Sequence, residues 1–271
     1  MVYFVLEMRG VSYGRESIVR RLMTMLLISV LAISFAVPAT AQQATGSADT
    51  ILDVRFGDHV TYERAVIDLG IDELPSETVP YYSWTALDGR TVLHVHLPSV
   101  NSTKTTDGEG FGMAFRSYYV TRAETGGHLD VDLQLANDAG PANVFYLNNP
   151  ARIVVDVPLS GDNAYPKATY GDSTVITQPR AGYTVGPDML TVVGYGRPFE
   201  ATGTWRIKDS EGSVVREGSY TTTDWAETWG NYAFSAEYPD SMSGKSGTLE
   251  VGSLSAKDGS FDGVSVPLEF R

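Results

Sequence analysis

Between Leu129 and Leu135 every second residue is apolar, and Asp130, Asp132 and Gln134 fill the gaps. A strand sends successive side chains to opposite faces, so period two sorts these residues into one buried face and one polar face. The same rhythm recurs in Ala65, Ile67 and Leu69, in Leu93, Val95 and Leu97, and in Ile153, Val155 and Val157. Antiparallel sheets covered on one side give this pattern. It predicts that Asp130 and Asp132 lie on a solvated sheet face. No long stretch after the first 41 residues shows a 3.6-residue period, which leaves room for at most one short helix in the first half.

The second half continues in the same way. Candidate strands are 190–193, 204–208, 213–216, 232–236, 248–252 and 264–270, separated by turn residues at 209–212, 243–247 and 258–263. About seven short strands in about 100 residues predict an immunoglobulin-like β-sandwich. The chain has no cysteine, so the Cys-Trp-Cys signature of antibody domains is absent, and any likeness is architectural. The fold class read from the sequence is therefore all-β, with two β-sandwich-like domains. Residues 51–160 form the first and 174–271 the second, joined by a linker at 161–173 rich in Gly, Asp, Asn and Pro.

The N-terminal segment reads as a signal peptide over 1–41. Arg20 and Arg21 precede an apolar run from Met23 to Val37, and Ala39-Thr40-Ala41 supplies a small-residue cleavage site. The run is shorter than a membrane span needs. Residues 42–50 are small and polar and predict a flexible leader. Export without cysteine points to a bacterial, exported protein, extracellular or wall-associated, that holds its fold by packing alone. The whole chain has a net charge of −13. Four basic and two acidic residues fall within 1–41, so the remainder carries 16 basic against 31 acidic residues, a net of −15. A surface that negative repels nucleic acid.

Both halves resemble known bacterial modules. The run His59-Val60-Thr61-Tyr62-Glu63-Arg64-Ala65-Val66-Ile67-Asp68-Leu69 and the ending Asn149-Pro150-Ala151-Arg152-Ile153-Val154-Val155-Asp156-Val157 resemble an AMIN-like domain over about 51–158. In that ending Arg152 and Asp156 share a strand face and are expected to brace the sheet by pairing with neighbours across it. Val175-Ile176-Thr177-Gln178-Pro179-Arg180-Ala181-Gly182, Val192-Val193-Gly194-Tyr195-Gly196-Arg197-Pro198-Phe199-Glu200-Ala201 and Val266-Pro267-Leu268 are similar to the immunoglobulin-like domain of spore germination proteins, the Gmad-two family. The AMIN resemblance implies cell-wall targeting and contact with peptidoglycan, another cell-wall glycan or an envelope protein. Neither resemblance implies an enzyme, and no catalytic residues carry over.

Several motifs invite chemistry. Gly10-Val11-Ser12-Tyr13-Gly14 fits a nucleophile elbow but lies upstream of the signal core. Gly244-Lys245-Ser246 lacks the leading glycine of a phosphate loop and reads as a hairpin turn. Asp258-Gly259 and Asp262-Gly263 read as turns rather than calcium ligands. His94 and His96 share one strand face and could hold a metal only with further ligands; the preferred reading is a half-exposed strand face with no metal and no cofactor. Asp130 and Asp132 could in principle serve a glycan hydrolase. The leading expectation is instead a non-enzymatic binding or scaffolding module, with a structural partner in a surface protein complex as the alternative. Candidate contact residues are aromatic: Trp225, Trp229 and Tyr232 in one cluster, Tyr81 and Tyr82 in another, since exposed rings stack on sugars or anchor interfaces. Trp84 and Trp205 read as core filling.

Overall fold

The computed structural model describes residues 40–42, 45–87, 91–136, 142–159, 168–186, 189–255 and 257–271. All of these lie in one compact unit, residues 37–271. The signal-peptide reading of 1–39 and the Gly10–Gly14 motif lie outside the described residues. The predicted cut after Ala41 falls within a short strand, Thr40–Gln42.

The protein is all-β. The first half contributes β1 (Thr40–Gln42), β2 (Thr50–Asp58), β3 (Tyr62–Ile71), β4 (Leu74–Pro75), β5 (Tyr82–Leu87), β6 (Val92–Leu97), β7 (Ser102–Thr103), β8 (Asp107–Glu109), β9 (Phe115–Arg122), β10 (Leu129–Leu135), β11 (Asn143–Leu147) and β12 (Arg152–Pro158). One sheet runs β1-β5-β6-β10-β9-β8, and the facing sheet runs β11-β12-β3-β2-β7 with β4 beside β3. Every apolar residue of the four alternating runs enters the core between these sheets. Burying side chains of this size contributes about 1.5–3 kcal/mol each before entropy is charged. The two sequence runs at the ends of the first module, 59–69 and 149–157, meet here. Arg64 on β3 faces Asp156 on β12 in register and forms a two-pronged ion pair at 2.6 and 2.8 Å. Asp156 therefore braces the sheet as expected, while Arg152 turns its Nε to the carbonyl of Pro150.

The second half contributes β13 (Thr169–Tyr170), β14 (Thr174–Gln178), β15 (Tyr183–Val185), β16 (Leu190–Gly196), β17 (Thr202–Asp209), β18 (Val214–Thr221), β19 (Gly230–Ala236), β20 (Ser246–Leu254) and β21 (Phe261–Phe270). Its sheets run β13-β14-β16-β19 and β15-β21-β20-β17-β18. Strands β21, β20, β17 and β18 take the places of G, F, C and C′ in an immunoglobulin-like sandwich, and β14, β16 and β19 those of A, B and E. Trp205, on the C-equivalent strand, is buried and stacks on Phe234 at 5.9 Å. Packing of such rings takes the place of the disulfide that this cysteine-free core lacks. Gly194 is glycine for a stated reason: a Cβ there would stand 2.6 Å from the Tyr232 ring and closer still to the Val175 carbonyl oxygen. Among the described residues there is no α-helix, only short 3-10 turns at Phe199–Ala201 and Asp240–Met242.

Three expectations need correction. The leader is not loose: Ala48 is buried in the first core, and Gly46 N–H and Asp49 N–H bond to the carbonyls of Val79 and Gly70. Small residues there let the backbone lie flat against the sheet end. Thr169 and Tyr170, read as linker, form β13 and pair with Ile176 and Val175. Gly244-Lys245-Ser246 turns the chain, but between β19 and β20, which belong to different sheets; it is a crossover and not a hairpin.

Candidate functional site

Strand β10 is buried on both faces. This corrects the solvated-face reading of Asp130 and Asp132: both are buried, Asp132 under Tyr195 of the second half and Asp130 against His96 and His94 of β6. Tyr195 on β16, 6% exposed, reaches across and donates its hydroxyl to Asp132 Oδ2 at 2.8 Å, while Gln134 Nε2 donates to the Tyr195 oxygen at 2.9 Å. Burial, and then the Asp132 charge, hold the Tyr195 hydroxyl well above its ordinary pKa, so it stays a donor. Tyr119 stacks on Tyr195 at 4.8 Å and meets Trp229 edge-on at 5.0 Å. These three rings and Val175 make a small core of their own, separate from the two sandwich cores. Trp229 Nε1 donates to Asp107 Oδ1 at 2.9 Å, its backbone N–H donates to the Val120 carbonyl, and Arg197 lies 5.2 Å over its ring. The two halves thus join through a buried seam in which the Tyr195 hydroxyl, the Gln134 amide and the Trp229 indole N–H are paired, the condition under which a buried polar contact holds rather than costs, while Thr121 Oγ1 beside Trp229 is buried without a partner.

A histidine–carboxylate cluster stands at one end of this seam. The β6–β10 register sets His94 opposite Asp132 and His96 opposite Asp130. His94 Nδ1 is 2.6 Å from Asp132 Oδ1, His96 Nδ1 is 2.8 Å from Asp130 Oδ1, and His94 Nε2 is 3.9 Å from Asp130 Oδ1. Burial pulls the His94 pKa down, but the Asp132 charge, its hydrogen bond and the Asp130 charge together push it up to about 9. The His128 ring lies edge-on to His96 at 4.6 Å. His94, Asp132, Glu124, Tyr195, Thr222 and Asn231 help line a cleft of about 630 Å³ where the two halves meet.

The aromatic candidates separate sharply. Trp229 is 4% exposed and belongs to the seam; Tyr232 is buried in the second sandwich with its hydroxyl on the Val175 carbonyl. Tyr82 is fully buried in the first core. None of these three is a surface contact, which corrects the sequence reading for each. Strand parity carried the signal for Tyr232, since it shares its face of β19 with Ala236. Tyr81 is exposed, and Trp84 packs half-buried on the first core. Trp225 is 39% exposed, and its ring meets that of Phe199, 72% exposed, at 5.2 Å and 70°. Sequence reasoning missed Phe199, whose position after Pro198 in a Gly-Arg-Pro-Phe turn was the available sign.

The loop that carries Trp225 is tied at many points. Asp224 accepts from the backbone N–H groups of Trp225, Ala226 and Thr228 and from the Thr228 hydroxyl. Burial alone would raise the Asp224 pKa, but the Thr228 hydroxyl and these amides lower it below the usual value. Arg122 of the first half reaches over to Asp224 at 3.4 Å and Glu227 at 2.7 Å. The first half therefore helps to fix a loop of the second.

The strand order, the C-strand tryptophan and the Gly194-Tyr195 step of β16, which sends Tyr195 into the seam, together define the second module. Residues 173–260 match the Gmad2 family, the immunoglobulin-like domain of bacterial spore germination. The match runs from β14 to β20, stops short of β21 and includes none of β2 to β12. No curated protein and no solved structure matches the chain. In the Gmad2-matching module, Tyr195 and Trp229 are spent on docking, while Phe199 and Trp225 face outward.

Proposed function

We propose that this chain is an exported bacterial cell-envelope protein that binds cell-wall glycan without catalysing a reaction. One observation carries the reading: two exposed aromatic rings meet edge to face, Phe199 on the turn before β17 and Trp225 on a loop fixed by Asp224 and Arg122. Apolar faces of sugar rings stack on such surfaces, and a fixed loop spares the entropy of ordering it on binding. The AMIN-like pattern of the first module supports a wall location, and the apolar run before Ala39-Thr40-Ala41 supports export. Among the described residues, no helix is long and apolar enough to cross a membrane. Asp130 and Asp132, the acids that a glycan hydrolase would use, are each tied to a histidine, and Asp132 to Tyr195 as well.

Co-sedimentation with purified peptidoglycan sacculi tests the reading. The protein is expected to be retained, and Trp225→Ala combined with Phe199→Ala is expected to weaken retention about 3- to 10-fold, the range for one or two ring-stacking contacts. Equal retention of both proteins would rule the aromatic pair out. A second reading, a structural partner in a surface protein complex, is favoured by a hollow of about 490 Å³ lined by Pro179, Tyr183 and Met189, the last two exposed. Absence of sacculus retention together with cross-linking in cells from Tyr183 would select it.

A further inference from the structure

We propose that His94, His96 and Asp130 form a binding site for one divalent transition-metal ion of the zinc class, at the rim of the cleft between the two modules. A ring nitrogen from each histidine and a carboxylate oxygen of Asp130 all lie within 4.8 Å of one another. Three ligands about 2.0–2.1 Å from a tetrahedral ion stand about 3.3 Å apart. The 2.8 Å from His96 Nδ1 to Asp130 Oδ1 and the 3.9 Å from His94 Nε2 to the same oxygen bracket that spacing. Small rotations of the two partly buried histidines about the buried Asp130 close the difference.

The surroundings are those a metal site requires. A ligating histidine ordinarily gives its other nitrogen to a carboxylate, which fixes the ring and its tautomer. His94 does so already: its Nδ1 is held by Asp132, whose second oxygen is held by Tyr195. The free Nε2 then points toward Asp130. An ion bound there takes the place of any proton on His94 Nε2 and of the proton shared by His96 Nδ1 and Asp130 Oδ1, and these leave to solvent. Two imidazoles and one carboxylate suit zinc, cobalt or nickel and do not suit calcium or magnesium, which take oxygen ligands. Water completes the coordination, and His128, edge-on to His96, is the nearest further imidazole. Asp132 and Tyr195 are positioning residues, which makes the site dependent on docking of the second module. The proposal is independent of the aromatic pair, because its ligands lie on strands β6 and β10 and not on the turns that carry Phe199 and Trp225.

Isothermal titration of the metal-stripped full chain with Zn²⁺ tests it, alongside visible absorption with Co²⁺, whose band intensity reports four-coordinate nitrogen–oxygen ligation. One equivalent is expected to bind. His96→Gln and Asp130→Asn are each expected to abolish that binding, and Asp132→Asn to weaken it about 10- to 100-fold while keeping the stoichiometry. Mg²⁺ is expected not to compete. No saturable Zn²⁺ binding by the wild-type chain would overturn the proposal, and so would binding that persists unchanged in both His96→Gln and Asp130→Asn.

Discussion

Trp229→Ala is expected to remove about 3–5 kcal/mol of stability, the cost of truncating a buried tryptophan. The loss falls on the seam rather than on either sandwich. Trp229 fills the space between Tyr119 and Arg197, and its indole N–H satisfies Asp107. Truncation leaves a cavity between modules and removes one of the two donors to Asp107 Oδ1, which keeps the Thr106 hydroxyl. Each sandwich keeps its own core. The wild-type chain is therefore expected to unfold in one calorimetric transition, and the variant in two, with the lower one moved to lower temperature. Trp225→Ala, four residues earlier on the same loop, is expected to change stability by less than about 0.5 kcal/mol because its ring is exposed. Similar losses in both variants would mean that the seam adds nothing to stability.

The second large effect is on pH. In the metal-free chain His94 has a folded pKa of about 9 against about 6.5 when unfolded. A raised folded pKa means that the protonated form stabilises the fold. That contribution is complete below about pH 6.5 and is lost as pH rises through about 9. Its size is up to about 3 kcal/mol, from the difference between the two values. Urea unfolding at pH 6 and pH 9.5, with chelator present, measures it. Asp132→Asn removes the charge that holds the proton on His94, so its stability is expected to be lower at pH 6 and nearly flat across the same interval. An equal fall with pH in wild type and variant would assign the effect to another group. His96, Asp130, Glu124 and Tyr195 are the other titratable groups around His94, and Tyr195 stays protonated throughout the interval.

The apolar half of this molecule was legible because period two is a local signal. Leu129, Val131, Leu133 and Leu135 face a core wherever that core is. The polar half was not legible for the same reason. Alternation says that Asp130 and Asp132 differ from their neighbours, not what lies over them, and Tyr195 arrives from 63 residues away. The aromatic residues show a second limit. Trp225 and Trp229 sit in one polar stretch with similar neighbours, yet one faces outward and the other bridges modules; contacts far away in the sequence tell them apart, the pairing of Trp229 with Thr121 and its indole bond to Asp107. Tyr82 begins a strand, so its inward parity depends on a boundary that Pro80 and Tyr81 blur. In the histidine cluster, the placement of His94 and His96 on one face could be read, whereas the register that sets Asp130 and Asp132 against them could not.

The dependence of loop, cleft and histidine cluster on a fixed docking of the two modules is open to one direct measurement. The chain has no cysteine, so Asp53→Cys on β2 and Ser265→Cys on β21, both exposed strand positions, accept spin labels without background. Modules held by the Asp132–Tyr195–Trp229 seam give a single narrow distance distribution by pulsed electron–electron double resonance, and Trp229→Ala broadens it. A broad or many-peaked distribution in the wild-type chain would show that the modules move freely and that the seam does not hold them.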